Sequence, residues 1–317
     1  LRSIDVATLE EPPHARSEFE AKASGNTLLK FHDDWIDYDA MDISGPEEVY
    51  PKIHEVLELV EMDETVYDLA MRQLLDPVQY EDLCKKLIDV RKSFRKHIEN
   101  SPLEEFIEVF NWESYSEHAT IAENLLFGTT TERTELTADN LVENSHFREV
   151  IAQDKLDRDL FEMGLELAET AIELFADLSP DNPFFEQLNF MTPEQLEDYP
   201  PILGRAKELG FDGVTEEDRR LVLQLPLGYI EPRNRLRLLD AEIQDRILKA
   251  RQRFHFTLPD DLEGRISTYE ANTYNPFNSI RDNILFGRVA YGASNAQEQV
   301  KTVIQDLLVE HGLRDDI

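Results

Sequence analysis

Apolar positions recur with the 3.6-residue period of a helix along most of this chain, and with the two-residue period of a strand only in short pieces. Ile53, Val56, Leu57 and Val60 keep the helical period over 46–62, with Ser44-x-x-Glu47 placed as a capping box ahead of them. Asp63 opens a second helix through Val66, Leu69, Ala70 and Leu74. Asp76-Pro77 opens a third, with Leu83, Leu87, Val90, Phe94 and Ile98 on one face and Lys85, Lys86, Arg91, Lys92, Arg95 and Lys96 on the exposed side. Over 155–178, Leu160, Leu167 and Leu174 recur every seventh residue beside Phe161, Ala168 and Phe175, a stripe that must be buried. Glu162, Glu166, Glu169 and Glu173 take the opposite face. Thr192-Pro193-Glu194 and Thr215-Glu216-Glu217 read as helix starts. A long helix is expected over 236–256 through Leu239, Ile243, Ile247 and Ala250, and a closing one over 295–312 through Val300, Val303, Ile304, Leu307 and Leu308. Short strands are expected at 107–110 and 266–269, and at Thr27–His32 in a mixed start broken by Pro12-Pro13. Asn100-Ser101-Pro102 and Ser179–Pro183 read as breaks. The pattern gives a mainly α protein, a multi-helix acidic bundle with a few short strands.

Charge narrows the partners. The chain has 66 acidic against 32 basic residues and a formal net charge of −34. Phosphate backbones and anionic membrane leaflets repel such a surface, so no nucleic acid and no direct membrane insertion are expected. A basic protein partner fits it, as does simple solvation. The basic side of the third helix stands out against this background, either paired with its own neighbouring acids or docking an acidic surface. The single Cys84 excludes an internal disulfide and reads as packing. No apolar run approaches the ~18 residues of a membrane span, and no signal peptide is evident.

One phrase occurs twice. Thr120-Ile-Ala-Glu-Asn-Leu-Leu-Phe-Gly128 returns as Ser279-Ile-Arg-Asp-Asn-Ile-Leu-Phe-Gly287, and 159 positions separate residue 121 from residue 280. Only the phrase is evidently repeated, so a solenoid is not expected. The phrase, with Tyr274-Asn-Pro-Phe-Asn-Ser279 before the second copy, resembles the stretch that opens the helical subdomain in ATP-binding-cassette (ABC) transporter ATPases. Leu225-Pro-Leu-Gly-Tyr229 is similar to a segment that precedes the signature in exporters of that family. The likeness covers about fifteen residues per copy.

The departures from the family are equally specific. No Gly-x-x-x-x-Gly-Lys-Ser/Thr loop, no Leu-Ser-Gly-Gly-Gln signature and no Walker B carboxylate pair occur. Where the resemblance places the Q-loop glutamine stand Ala271, beside Asn272, and Trp112, beside Asn111. The chain starts at Leu1 and stops after an amphipathic stretch, so the resemblance implies a segment cut between phosphate loop and signature, with a large helical insertion. The expected organisation is a mixed segment 1–45, a helical segment 46–115, a helical insertion 116–265, and 266–317 as the start of an ABC-like helical subdomain. The resemblance implies a regulatory or partner-docking region, not catalytic by itself, on the cytoplasmic side of a membrane. The parent would couple ATP and magnesium to transmembrane transport, and the partners would be the remaining ATPase and its transmembrane domain. No cofactor is assigned to this segment.

Other chemistry is weaker. Asp37, Asp39 and Glu48 have calcium-loop spacing, but Met41 and Asp42 stand where a ligand and a glycine are needed. Glu143-x-x-His146 is a di-iron helix motif without a second copy. Trp112 and Tyr115, and Tyr274, are candidates for stacking on a nucleotide base, against core packing. No catalytic residue and no metal ligand is assigned. The alternatives left open are a stand-alone helical scaffold and a metal-binding helical bundle.

Overall fold

The structure is a computed structural model that describes residues 19–20, 22–25, 36–130, 138–153, 155–175, 191–192, 195–260, 262 and 264–317. The expected break at Pro12-Pro13, strand at Thr27–His32 and turn at Ser179–Pro183 lie outside these residues, as does most of the helix start at Thr192-Pro193-Glu194.

The protein is mainly helical, with four three-residue strands among the described residues. In chain order the helices and strands are α1 (Val49–Leu59), α2 (Asp63–Met71), α3 (Glu81–Ile98), β1 (Ile107–Val109), α4 (Ile121–Leu126), β2 (Gly128–Thr130), α5 (Ala138–Leu141), α6 (Ser145–Gln153), α7 (Leu156–Phe175), α8 (Tyr199–Gly213), α9 (Glu216–Leu227), α10 (Glu231–Asn234), α11 (Ala241–Phe256), β3 (Ile266–Thr268), α12 (Ile280–Leu285), β4 (Gly287–Val289) and α13 (Ser294–Glu310). The chain divides into two compact units, residues 1–68 and 69–317.

In the first unit, α1 follows a 3-10 turn whose cap is Gly45 rather than Ser44. Glu48, not Glu47, reaches back to accept from the Ser44 N–H. No residue of α1 is buried, and Ile53 and Val56 on its apolar face, with Val60 at its C-cap, are exposed.

In the second unit a helical core surrounds α7. Leu156, Leu160, Phe161, Met163, Leu167, Ala168, Ala171 and Phe175 of α7 are buried, each worth about 1–3 kcal/mol for its larger members. Leu174, expected in that stripe, is 63% exposed, because 3.6-residue geometry drifts from a strict seven-residue repeat by about 20° per turn pair. Gly164 lets α7 approach α9: a Cβ there would collide with the Val222 backbone oxygen. α9 begins at Thr215, whose side chain accepts from Asp218 N, and Arg205 of α8 clamps the buried Asp218 carboxylate with two bonds of 2.8 and 2.6 Å. The helix expected over 236–256 begins later. Asp240 caps α11, and Leu236, Leu238 and Leu239 run into it as a loop tied to Glu231 and the Tyr229 hydroxyl. Leu225–Tyr229 forms the end of α9 and its exit, with Tyr229 fully buried.

The strands form two small antiparallel sheets. β1 pairs with β4, and β2 with β3. The registers mirror each other: Ile107 opposite Val289 and Ile266 opposite Thr130, Glu108 opposite Arg288 and Ser267 opposite Thr129, Val109 opposite Gly287 and Thr268 opposite Gly128. Pairing i with j and j with i is the signature of a two-fold relation. The repeated phrase is thus the visible part of a duplicated unit, helix–strand–loop–helix–strand: α3-β1-α4-β2 and α11-β3-α12-β4.

Candidate functional site: a pseudo-symmetric pair of latched repeats

Each phrase folds the same way. Thr120 and Ser279 cap α4 and α12 by accepting from Glu123 N and Asp282 N. Thr120 and Glu123 complete a reciprocal capping box. Phe127 and Phe286 end the helices in the left-handed region, with φ of 39° and 43°. Gly128 and Gly287 follow at the closest strand approach. A Cβ on Gly128 would lie 2.6 Å from the Ser267 oxygen, and one on Gly287 would strike its counterpart, the Glu108 oxygen. This local geometry accounts for the hydroxyl, acid, Phe and Gly positions that the two copies share.

The shared Asn is a structural hub. Asn124 is 1% and Asn283 2% exposed. Asn124 Oδ1 accepts from Ser116 N at 2.8 Å, and Nδ2 donates to the oxygens of Ser116 and Thr120. Asn283 Oδ1 accepts from Asn275 N at 2.8 Å, and Nδ2 donates to the oxygens of Asn275, Asn278 and Ser279. Each Asn therefore closes the loop that leads into its own helix.

Each hub is held by an arginine from the other half. Arg251 of α11 donates from Nε to the Asn124 carbonyl at 2.6 Å and from Nη2 to Asn124 Oδ1 at 2.9 Å. Its Nη1 faces the carbonyls of Asn111, Trp112 and Ser114. Arg91 of α3 makes the equivalent bonds to Asn283, at 2.6 and 3.1 Å, and to the carbonyls of Glu270, Ala271 and Thr273. Arg91 is 5% and Arg251 0% exposed, and burial lowers both to about 10. Carbonyl oxygens, not carboxylates, offset their charge. The guanidinium carbons also lie over Phe286 and Phe127, at 4.6 and 4.5 Å. So α3, which precedes the first phrase, seats on the second, and α11, which precedes the second, seats on the first.

This corrects the expected basic face of the third helix. Arg91 points inward. The exposed Lys85, Lys92 and Arg95 pair with Glu81, Asp89 and Glu99 along the same helix, and Lys86 with Asp316. Sequence reading missed the two arginine latches. The signal was present, since Val90-Arg-Lys-Ser-Phe94 and Ala250-Arg-Gln-Arg-Phe254 stand 160 positions apart.

On the two-fold axis Phe110 stacks on its counterpart Tyr269, centroids 4.1 Å apart and planes 2° from parallel. Phe127 and Phe286 stand edge-on around that pair. A cavity of about 430 Å³ opens there, lined in part by Thr120, Glu123, Thr129, Asn278, Asp282 and Arg288. Its polar groups engage one another. Glu123 accepts from Arg288 and from Thr120 N, Asp282 from Ser279 Oγ, and Thr129 Oγ1 donates to Asn278 Oδ1 at 2.6 Å. Nearby acids hold the Arg288 guanidinium charge in place against its burial. The arrangement is a network in which these groups satisfy one another.

The other candidates are dispersed. Trp112 is half-buried and meets Phe127 and His255 edge-on. Tyr115 packs against the core and Tyr274 is buried; burial pushes both hydroxyls far up. Asp37 accepts from Ala40 N in a turn. Glu143 pairs with Arg220, whereas His146 bonds the Phe254 carbonyl, so the two do not converge. Glu169 pairs with Lys207, and Glu162, Glu166 and Glu173 are exposed. Cys84 is buried, and burial raises its pKa. Among the described residues, no group of three or more His, Cys, Asp or Glu is placed to hold a metal. No helix among them is long and apolar enough to cross a membrane. The chain matches no protein-family model, no curated protein and no solved structure in these comparisons.

Proposed function

We propose that this chain is a non-catalytic, partner-docking helical region of an ABC-type transporter ATPase, placed on the cytoplasmic side of the membrane. The observation that carries the docking half is the fate of the repeated phrase. Its hydroxyl, acid, Asn, Phe and Gly positions are taken up by caps, latches and close strand approach, which are structural and not catalytic roles. Within the described residues of its own unit, α1 exposes Ile53 and Val56, an apolar face suited to a partner helix. The transporter half rests on the sequence likeness around Asn124 and Asn283. In this reading the parent couples ATP and magnesium to transport through residues outside this chain, and the latched pair transmits partner binding to it. A stand-alone scaffold uses the same geometry, because the reciprocal latch is complete within residues 69–317.

Two measurements test the two halves separately. Titration with a fluorescent ATP analogue and magnesium is expected to show no specific binding at micromolar concentration. Specific binding, lost in Arg288→Met, would overturn the non-catalytic assignment. Cross-linking in the source cell is expected to join surface lysines such as Lys85 and Lys96 to a polypeptide carrying a phosphate loop. Cross-links only to proteins without one would overturn the transporter assignment.

A further inference from the structure

The two-fold relation provides an internal reference for every position: what fills a place in one half shows what its counterpart could hold. Among the described residues, one counterpart is unfilled. In the first half the Trp112 indole lies edge-on to Phe127, at 5.3 Å between centroids, and to His255, at 5.1 Å, with the Arg251 guanidinium 6.0 Å from the ring centre. In the second half the counterparts of Phe127, His255, Arg251 and Trp112 are Phe286, Arg95, Arg91 and Ala271. These four residues line a cleft of about 190 Å³, closed by Phe94, Ile98 and Leu285. Ala271 stands exposed at its mouth. The indole has no equivalent there, and the space remains.

We propose that this cleft is a receptor site for an indole-class aromatic ring. Three observations converge. The size fits, because an apolar cavity of about 150 Å³ already takes up benzene. The walls fit: Phe286 presents the counterpart of the Phe127 ring that Trp112 meets in the other half, and Arg95 replaces His255 with a planar guanidinium that stacks on aromatic faces. The floor is fixed, since Arg91 is locked by its bonds to Asn283 and does not need to move. The site does not depend on the transporter reading. Its ring could arrive as a free small molecule or as a tryptophan side chain, and the chemistry at the walls is the same.

The test uses the full chain and two probes, indole and N-acetyltryptophanamide, followed by saturation-transfer NMR and calorimetry. The wild-type protein is expected to bind one indole, saturably, at millimolar concentration or below. Ala271→Trp fills the cleft from within and is expected to weaken binding at least ten-fold while leaving the fold intact. Trp112→Ala opens the twin cleft and is expected to raise the stoichiometry from one to two. Binding of both probes supports a side-chain source, and binding of indole alone supports a small-molecule source. No saturable binding, or binding unchanged in Ala271→Trp, overturns the proposal. Should Trp112→Ala fail to fold, the Ala271→Trp comparison decides alone.

Discussion

At the scale of single residues, the shared positions of the phrase are explained by the bonds they make. Asn283→Ala removes an acceptor from a buried guanidinium and donor contacts from one buried and two part-buried carbonyls. Leaving a fully buried group unsatisfied costs about 1–3 kcal/mol, and the part-buried carbonyls can take up water instead, so a loss of about 2–4 kcal/mol in urea unfolding is expected, and a similar loss for Asn124→Ala. A change below about 1 kcal/mol would mean that water replaces the hub without penalty. His255 carries a pH dependence. Burial is the main cause that lowers its pKa from the ordinary 6.5, with Arg251 adding to it and the bond to the Leu126 carbonyl opposing. The unfolded chain takes up the proton first. The contribution of neutral His255 is therefore complete above 6.5 and is lost as pH falls through the lower folded value. Stability is expected to decline with acidification below 6.5 less steeply in His255→Gln than in the wild type; parallel curves would remove His255 from the account.

At the scale of elements, helix periodicity in the sequence located α3, α7, α11 and α13, because each buries one face, and the start at Thr215-Glu216-Glu217 located α9. It misplaced residues at two points for physical reasons. Leu174 lies where the seven-residue repeat has drifted off the buried face, and Leu236–Leu239 pack as a loop because Glu231 and Tyr229 hold their backbone N–H groups. The phrase itself was legible, but its role was not. The latching arginines sit 192 and 127 positions from the asparagines they hold, and no local pattern reveals that α3 crosses to the second half. The α7–α9 contact offers a direct check of packing. Gly164→Ala drives a methyl into the Val222 backbone, and overpacking of this kind costs about 1–3 kcal/mol despite the better helix propensity of alanine. A stabilising Gly164→Ala would mean that the two helices lie farther apart.

At the scale of the whole molecule, two properties dominate: excess negative charge and the exchange of helices between halves. With 66 acidic and 32 basic residues, mutual repulsion opposes the compact state and salt screens it. The melting temperature is expected to rise as sodium chloride increases from about 0.02 to 0.5 M, over which the Debye length falls from roughly 20 to 4 Å. A fall would show that local ion pairs outweigh the repulsion. The exchange of helices is the central claim, since the reading of the two-fold pair and of the indole cleft rests on it. A double-mutant cycle tests it directly. Arg91→Leu and Asn283→Ala, 192 positions apart, are expected to couple by about 1–3 kcal/mol in equilibrium unfolding, whereas Arg91→Leu and Asn124→Ala add within about 0.5 kcal/mol. Coupling of Arg91 to Asn124 instead, with none to Asn283, would contradict the exchange and with it the account of the site.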